Sequence, residues 1–186
     1  MAATESKMLP LGTPVPDFTL PDVAAGRRVS AAALAGPKGL LVMFICNHCP
    51  YVVHIRARLV EVAHRALEAG FSVAAINSNS VLTHPQDGPG PMRQLALEEG
   101  WRFPYLFDET QAVAHAFGAA CTPDLFLFDA GRRLAYRGQF DGARPGRPTP
   151  VTGQDLQAAL DAVASGAAPA AKQVPSLGCN IKWHPG

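Results

Sequence analysis

The chain has 186 residues, 48% hydrophobic and 17% charged, which suits one globular domain with a substantial core and leaves no room for a second full one. Its 16 basic and 15 acidic residues give a formal net charge of +1, so nothing marks a nucleic-acid or membrane partner, and both are set aside. The opening residues Met1 to Lys7 carry no apolar targeting core and no stretch reaches transmembrane length, which reads as cytoplasmic. In that compartment thiols stay reduced, and the four cysteines (Cys46, Cys49, Cys121, Cys179) read as catalytic, metal-binding or core thiols rather than structural bridges.

In chain order, Pro14 to Arg28 reads as an extended pair with a turn at Ala25-Gly26. Ser30 then stands where it can cap a short alanine-rich helix ending near Gly36. Leu40 to Ile45 is a continuous apolar run, as in a strand buried on both faces at the centre of a sheet. From Pro50 to Gly70, the positions Ile55, Leu59, Val62, Ala63 and Leu67 repeat at helical spacing, with Gly70 as C-cap. Phe71 to Ile76 is a second apolar strand, so strand, helix and strand form a right-handed parallel βαβ unit.

Asn77 to Pro91 is a loop rich in Asn, Ser, Gly and Pro, long enough to be functional or mobile. Beyond it the pattern predicts a helix over Met92 to Glu99, a strand at Tyr105 to Phe107 and a helix over Thr110 to Phe117. Two strands follow, Leu125 to Phe128 and Leu134 to Arg137, joined by a hairpin-type turn. After an irregular Gly/Pro/Arg segment, Thr152 caps a helix to about Ala164, and the remainder is a Pro- and Ala-rich tail ending in Ser176 to Trp183. The division is a domain over 1–165 and a tail over 166–186 packed on it.

The most informative residues are Cys46-Asn47-His48-Cys49, a CxxC where a strand hands over to a helix opened by Pro50. That spacing suits a dithiol/disulfide couple. Helix N–H groups left unpaired at the first turn favour a thiolate, which is the attacking species. Two registers compete. In one, Cys46 attacks and Asn47-His48 tunes it; in the other, Cys49 attacks. Pro50, favoured at the first helical position, makes Cys49 the N-cap, and we take Cys49 as nucleophile with Cys46 as its resolving partner.

The less specific readings stand beside these. The pair can be two reduced core thiols, His48 can assist a neighbouring thiol or be an exposed loop histidine, and Cys121 reads better as a buried inert thiol than as a redox group. The tail can fold back to supply Cys179 as a third redox thiol, or Cys179 can pack with Ile181 and Trp183; packing is the preferred reading. A Cys46, His48, Cys49 and His54 cluster holding a metal is the weaker competing class, because one tight turn rarely aims so many ligands at one ion. We expect no metal and no cofactor. A binding module with an inactive dithiol is the third reading.

The order of elements resembles the thioredoxin-like fold: a mixed central sheet flanked by helices, with an N-terminal extended pair and a C-terminal tail. The segments Pro16 to Asp22 and Gly39 to Val52 resemble the alkyl hydroperoxide reductase/thiol-specific antioxidant (redoxin) branch of the thioredoxin superfamily. More narrowly, Cys46 to Val52, Cys121-Thr122-Pro123 and Gly178 to Trp183 are similar to bacterial peroxiredoxin-like proteins of the thioredoxin family. The resemblance implies a cis bond at Thr122-Pro123 and a role for these two residues in docking an extended substrate beside the CxxC. It implies a thiol-disulfide oxidoreductase, acting on a protein or small-molecule disulfide and serviced by a thioredoxin-type reductant, with a peroxide-reducing antioxidant as the alternative. Peroxiredoxins carry Thr or Ser three residues before the peroxidatic Cys and Pro four residues before that. Cys49 is preceded there by Cys46 and Val42, and Cys46 by Met43 and Gly39. The activating arginine is replaced by Pro123, and these departures weigh against efficient peroxide reduction.

Overall fold

In the computed structural model, which describes residues 3–185, the centre of the molecule is the strand β4 (Gly39–Phe44), all six residues of which are buried. It forms because an unbroken apolar run has no polar face to offer water. The other elements, in order, are β1 (Ala3–Glu5), β2 (Thr19–Asp22), β3 (Arg27–Ser30), α1 (Pro50–Glu68), β5 (Phe71–Asn77), α2 (Pro89–Glu98), β6 (Tyr105–Phe107) and α3 (Ala112–Phe117). They continue with β7 (Cys121–Thr122), β8 (Asp124–Asp129), β9 (Leu134–Gly138), α4 (Gln154–Ala164) and β10 (Leu177–Asn180).

Seven strands make the main sheet in the order β3-β2-β6-β5-β4-β8-β9. β4 runs parallel to β5, with Leu41 opposite Val73, and antiparallel to β8, with Leu41 opposite Leu127. β6 is parallel to β5 and antiparallel to β2, so the sheet is mixed. This is the thioredoxin-like α/β fold, and the expected βαβ unit of β4, α1 and β5 lies at its heart.

Alternate residues of β4 feed two cores, as the period of two in a strand requires. Leu41 and Met43 face α1, α2 and α4, packing with Ile55, Leu59 and Val62 of α1, Met92 of α2 and Leu160 of α4. Leu40, Val42 and Phe44 face the other way, toward α3. There Phe117 meets Phe44 edge-on at 5.3 Å and Phe126 at 5.5 Å, which anchors the short α3. At the start of β4, Gly39 adopts φ +137°, and a Cβ there would collide with the Phe128 carbonyl oxygen; only glycine lets β4 and β8 close at that end.

Three expectations are corrected. No helix follows Ser30: its Oγ accepts the Ala33 amide at 3.1 Å, closing a turn in place of a helical cap. The region Asn77 to Pro91 is no open loop, because Asn77, Ser78, Asn79 and Ser80 are buried, a 3₁₀ turn spans Pro85–Asp87, and α2 already begins at Pro89. Pro is suited to a first helical turn, whose N–H groups have no intrahelical acceptor. Third, the ends of the described chain join a second, three-stranded sheet in the order β1-β10-β7, which periodicity did not show. No helix among the described residues is long and apolar enough to cross a membrane.

Candidate functional site

The site forms where β4 ends and α1 begins, covered by β7, β10 and the segment 77–87. Cys49 is the N-cap of α1 with extended backbone (φ −62°, ψ 122°), and Pro50 takes the first helical position. Proline has no N–H, so the first free donors of the helix belong to Tyr51 and Val52. Cys49 and Cys46 are almost completely buried, at 0% and 1% exposure.

The Cys49 thiol donates to the Thr122 carbonyl at 3.1 Å, and the Cys46 sulfur lies 3.4 Å from the Thr122 hydroxyl. The Thr122-Pro123 bond is cis. The CxxC and the Thr122-Pro123 segment, far apart in sequence, therefore meet at the sulfur atoms. The Cys49 pKa is pulled down to about 5, chiefly because the Cys46 thiol donates a hydrogen bond to its thiolate. Burial opposes this, while the Cys179 thiol, the Val52 N–H and the Thr122 hydroxyl add to it. Cys46 moves well upward, first through that same hydrogen bond to the Cys49 anion, then through burial and the nearby negative charge of Asp87. One thiol is thus held as the donor to its neighbour's thiolate.

Asp87 is the residue that sequence reasoning missed. It is completely buried, and its carboxylate accepts from the Asn47 amide at 2.9 Å, from Asn79 Nδ2 at 2.9 Å and from His48 Nδ1 at 2.6 Å. It fixes both residues between the cysteines. Tyr105 extends the clamp by donating to Asn47 Oδ1 at 3.0 Å. The one sequence signal for this role was the unusual length and Asn/Asp content of the 77–91 segment.

His48 Nδ1 lies 4.0 Å from the Cys46 sulfur, but its proton is engaged by Asp87, and its ring stacks on His84 at 4.9 Å. It borders Cys46 rather than Cys49. Cys121 donates to the Pro123 carbonyl at 3.4 Å, and burial drives its thiol strongly upward, so it stays protonated. The proposed quartet of metal ligands is not assembled: the set whose ligand atoms fall within 4.8 Å of one another is Cys46, His48 and Asp87, without Cys49 or His54.

Two further expectations change. The free docking edge expected at Thr122 is occupied by the chain itself, since β10 pairs antiparallel with β7 and sets Cys179 opposite Thr122. The cause is Gly178, whose missing side chain allows β10 to lie against the Thr122 carbonyl. And Cys179 does not pack with Ile181 and Trp183: it lies in the core cluster of Cys46 and Cys49, while Ile181 belongs to the opposite cluster and Trp183 stacks on His115; burial, then the neighbouring Cys49, push its pKa up to about 12.

The AhpC/TSA family profile matches residues 11–137. The chain is similar to a crystal structure of an uncharacterized conserved protein from Geobacillus kaustophilus, at 47% identity and TM-score 0.97, over 100% of this chain and 98% of that one. A hypothetical protein from Sinorhizobium meliloti 1021 gives 48% identity and TM-score 0.95, over 98% and 100%. At the level of the fold alone, a thiol:disulfide interchange protein of the thioredoxin family from Chlorobium tepidum TLS gives 19% identity and TM-score 0.63, over 82% and 97%. No curated protein matches the chain.

Proposed function

Because the chain belongs to the AhpC/TSA family, the redoxin branch of the thioredoxin superfamily, we propose that it is a thiol-disulfide oxidoreductase in which Cys49 attacks and Cys46 resolves. The observation that carries this reading is the placement of the two sulfurs: Cys49 caps α1, and it and Cys46 lie 3.1 and 3.4 Å from the Thr122 carbonyl and hydroxyl, an arrangement in which the Cys49 pKa falls to about 5. The Cys49 thiolate attacks one sulfur of a substrate disulfide, and the other sulfur leaves as a thiolate that takes up a proton. Once Cys49 is held in the mixed disulfide its negative charge is gone, which removes the largest cause keeping the Cys46 proton in place. Cys46 then loses that proton and attacks the Cys49 sulfur, releasing the second substrate thiol. A thioredoxin-type dithiol in a reducing cytoplasm returns the Cys46–Cys49 disulfide to the thiols.

The second reading, a thiol peroxidase, draws on the burial of both sulfurs, which suits an oxidant as small as a peroxide. Against it stands the lack of the peroxiredoxin Thr and Arg that would stabilise the departing oxygen. The deciding assay gives the same enzyme and reductant either a disulfide or hydrogen peroxide. Disulfide reduction that exceeds peroxide consumption and vanishes in Cys49→Ser supports the oxidoreductase; dominant, Cys49-dependent peroxide turnover replaces it with the peroxidase.

A further inference from the structure

We propose that Cys179 is a second resolving thiol for Cys49, carried to it by a strand of the chain's own that occupies the expected substrate edge. The inference rests on the reading of Cys49 as the attacking thiolate. β10 pairs with β7 in the register Cys179 to Thr122 and Asn180 to Cys121. The Thr122 carbonyl is the group that touches the Cys49 sulfur at 3.1 Å, so the residue opposite Thr122 is the one brought to that sulfur. Cys179 packs in one cluster with Cys46 and Cys49. The two thiols also act on each other's ionisation, Cys179 helping to lower the Cys49 pKa and Cys49 raising that of Cys179.

The strand is held along its length. A Cβ on Gly178 would run into the Thr122 carbonyl oxygen, so close contact at the edge depends on glycine. Past it, the Ile181 amide donates to Ala120 O at 3.1 Å and the Lys182 amide to Asn79 Oδ1 at 2.8 Å. On the outer side β1 pairs with β10, placing Ala3 opposite Cys179.

The charges around the two candidate resolving thiols differ in sign. With Cys49 held in a mixed disulfide, Cys46 still faces the Asp87 carboxylate, which opposes its ionisation. At Cys179, where burial is the largest opposing cause, the nearby charge is the cation Lys182, which favours its thiolate; the Thr122 hydroxyl, 3.4 Å away, favours that of Cys46. In the step itself, the Cys179 thiolate attacks the Cys49 sulfur of Cys49–S–S–R. The bond to R breaks, the Cys49–Cys179 bond forms, and RS⁻ leaves and takes a proton from solvent. Overall one RSSR is reduced to two RSH while two protein thiols are oxidised.

The test uses the full chain and 2-hydroxyethyl disulfide as probe. In Cys46→Ser we expect the Cys49 mixed disulfide to convert into a Cys49–Cys179 bond, seen by mass spectrometry, with release of the small thiol at least about tenfold faster than in Cys46→Ser/Cys179→Ser. Gly178→Ala in the Cys46→Ser background keeps every thiol but pushes β10 off Thr122, and it should slow that release severalfold. A mixed disulfide that persists equally in the single and double variants, with Cys179 open to alkylation after denaturation, overturns the role of Cys179 and leaves Cys49 as nucleophile. Failure of the double variant to form any mixed disulfide at Cys49 overturns the parent reading and this one together.

Discussion

The two strands that meet at the Cys49 sulfur are held in different ways. β4, which leads into the cysteines, is paired over all six residues with both β5 and β8, and none of its side chains is more than 2% exposed. β10 has four residues, two paired with β7 and three with β1, and its ends are secured by backbone and amide hydrogen bonds. One is a platform made by apolar burial; the other is an added strand kept by edge pairing and a glycine. Cys49 therefore follows the more fully buried strand, and Cys179 sits on a short strand that depends on pairing with β1 and β7.

The largest effect that sharpens this comparison is chemical. Cys49→Ser should remove disulfide reduction by roughly three orders of magnitude or more while leaving the thermal transition near that of the parent, measured as turnover and by circular dichroism. Next comes the platform. Leu59→Ala opens a cavity where α1 packs on the sheet and should cost about 2–5 kcal/mol in denaturant unfolding, whereas Gly178→Ala, acting where β10 meets Thr122 of β7, should cost less. Equal losses would erase the distinction between platform and added strand.

A smaller effect concerns the charges. The alkylation rate of Cys49 should stay level with falling pH until the pH nears about 5, then decline as its thiolate is protonated. Asp87→Asn should lower the Cys46 pKa, since it removes a negative charge that opposes ionisation there; iodoacetamide kinetics against pH in Cys49→Ser would read it. A separate, pH-dependent effect lies beneath the edge. Burial raises the Asp124 carboxyl from 3.8 to about 7, so folded protein keeps a proton that unfolded chain releases. Its contribution favours folding below the unfolded value and is lost as pH rises to about 7. Asp124→Asn should flatten that fall in stability, measured by urea unfolding at about pH 5 and about pH 8.

What could be read from the chain alone is whatever short-range pattern encodes. The apolar run of β4, the helical spacing of α1 and Pro50 behind Cys49 each follow from residues a few positions apart, because burial and helix entry act locally. The same local rule misled at Ser30, where a side-chain turn competes with a cap, and at Pro89, where α2 starts earlier than its apolar periodicity. The meeting of the Cys46 to Cys49 turn with Thr122, Asp87 and Cys179 lies beyond such rules. It depends on backbone pairing across 57 residues between Thr122 and Cys179 and on a buried carboxylate 38 positions from Cys49. Neither leaves a periodic trace, since an edge pairing or a single buried acid is selected by the three-dimensional surroundings that satisfy it. The sequence alone thus marked the CxxC at a helix entry, the helix behind it and the sheet that carries both. Only the tertiary structure decided what faces those thiols, because hydrogen bonds between distant segments form after the chain has already folded them together.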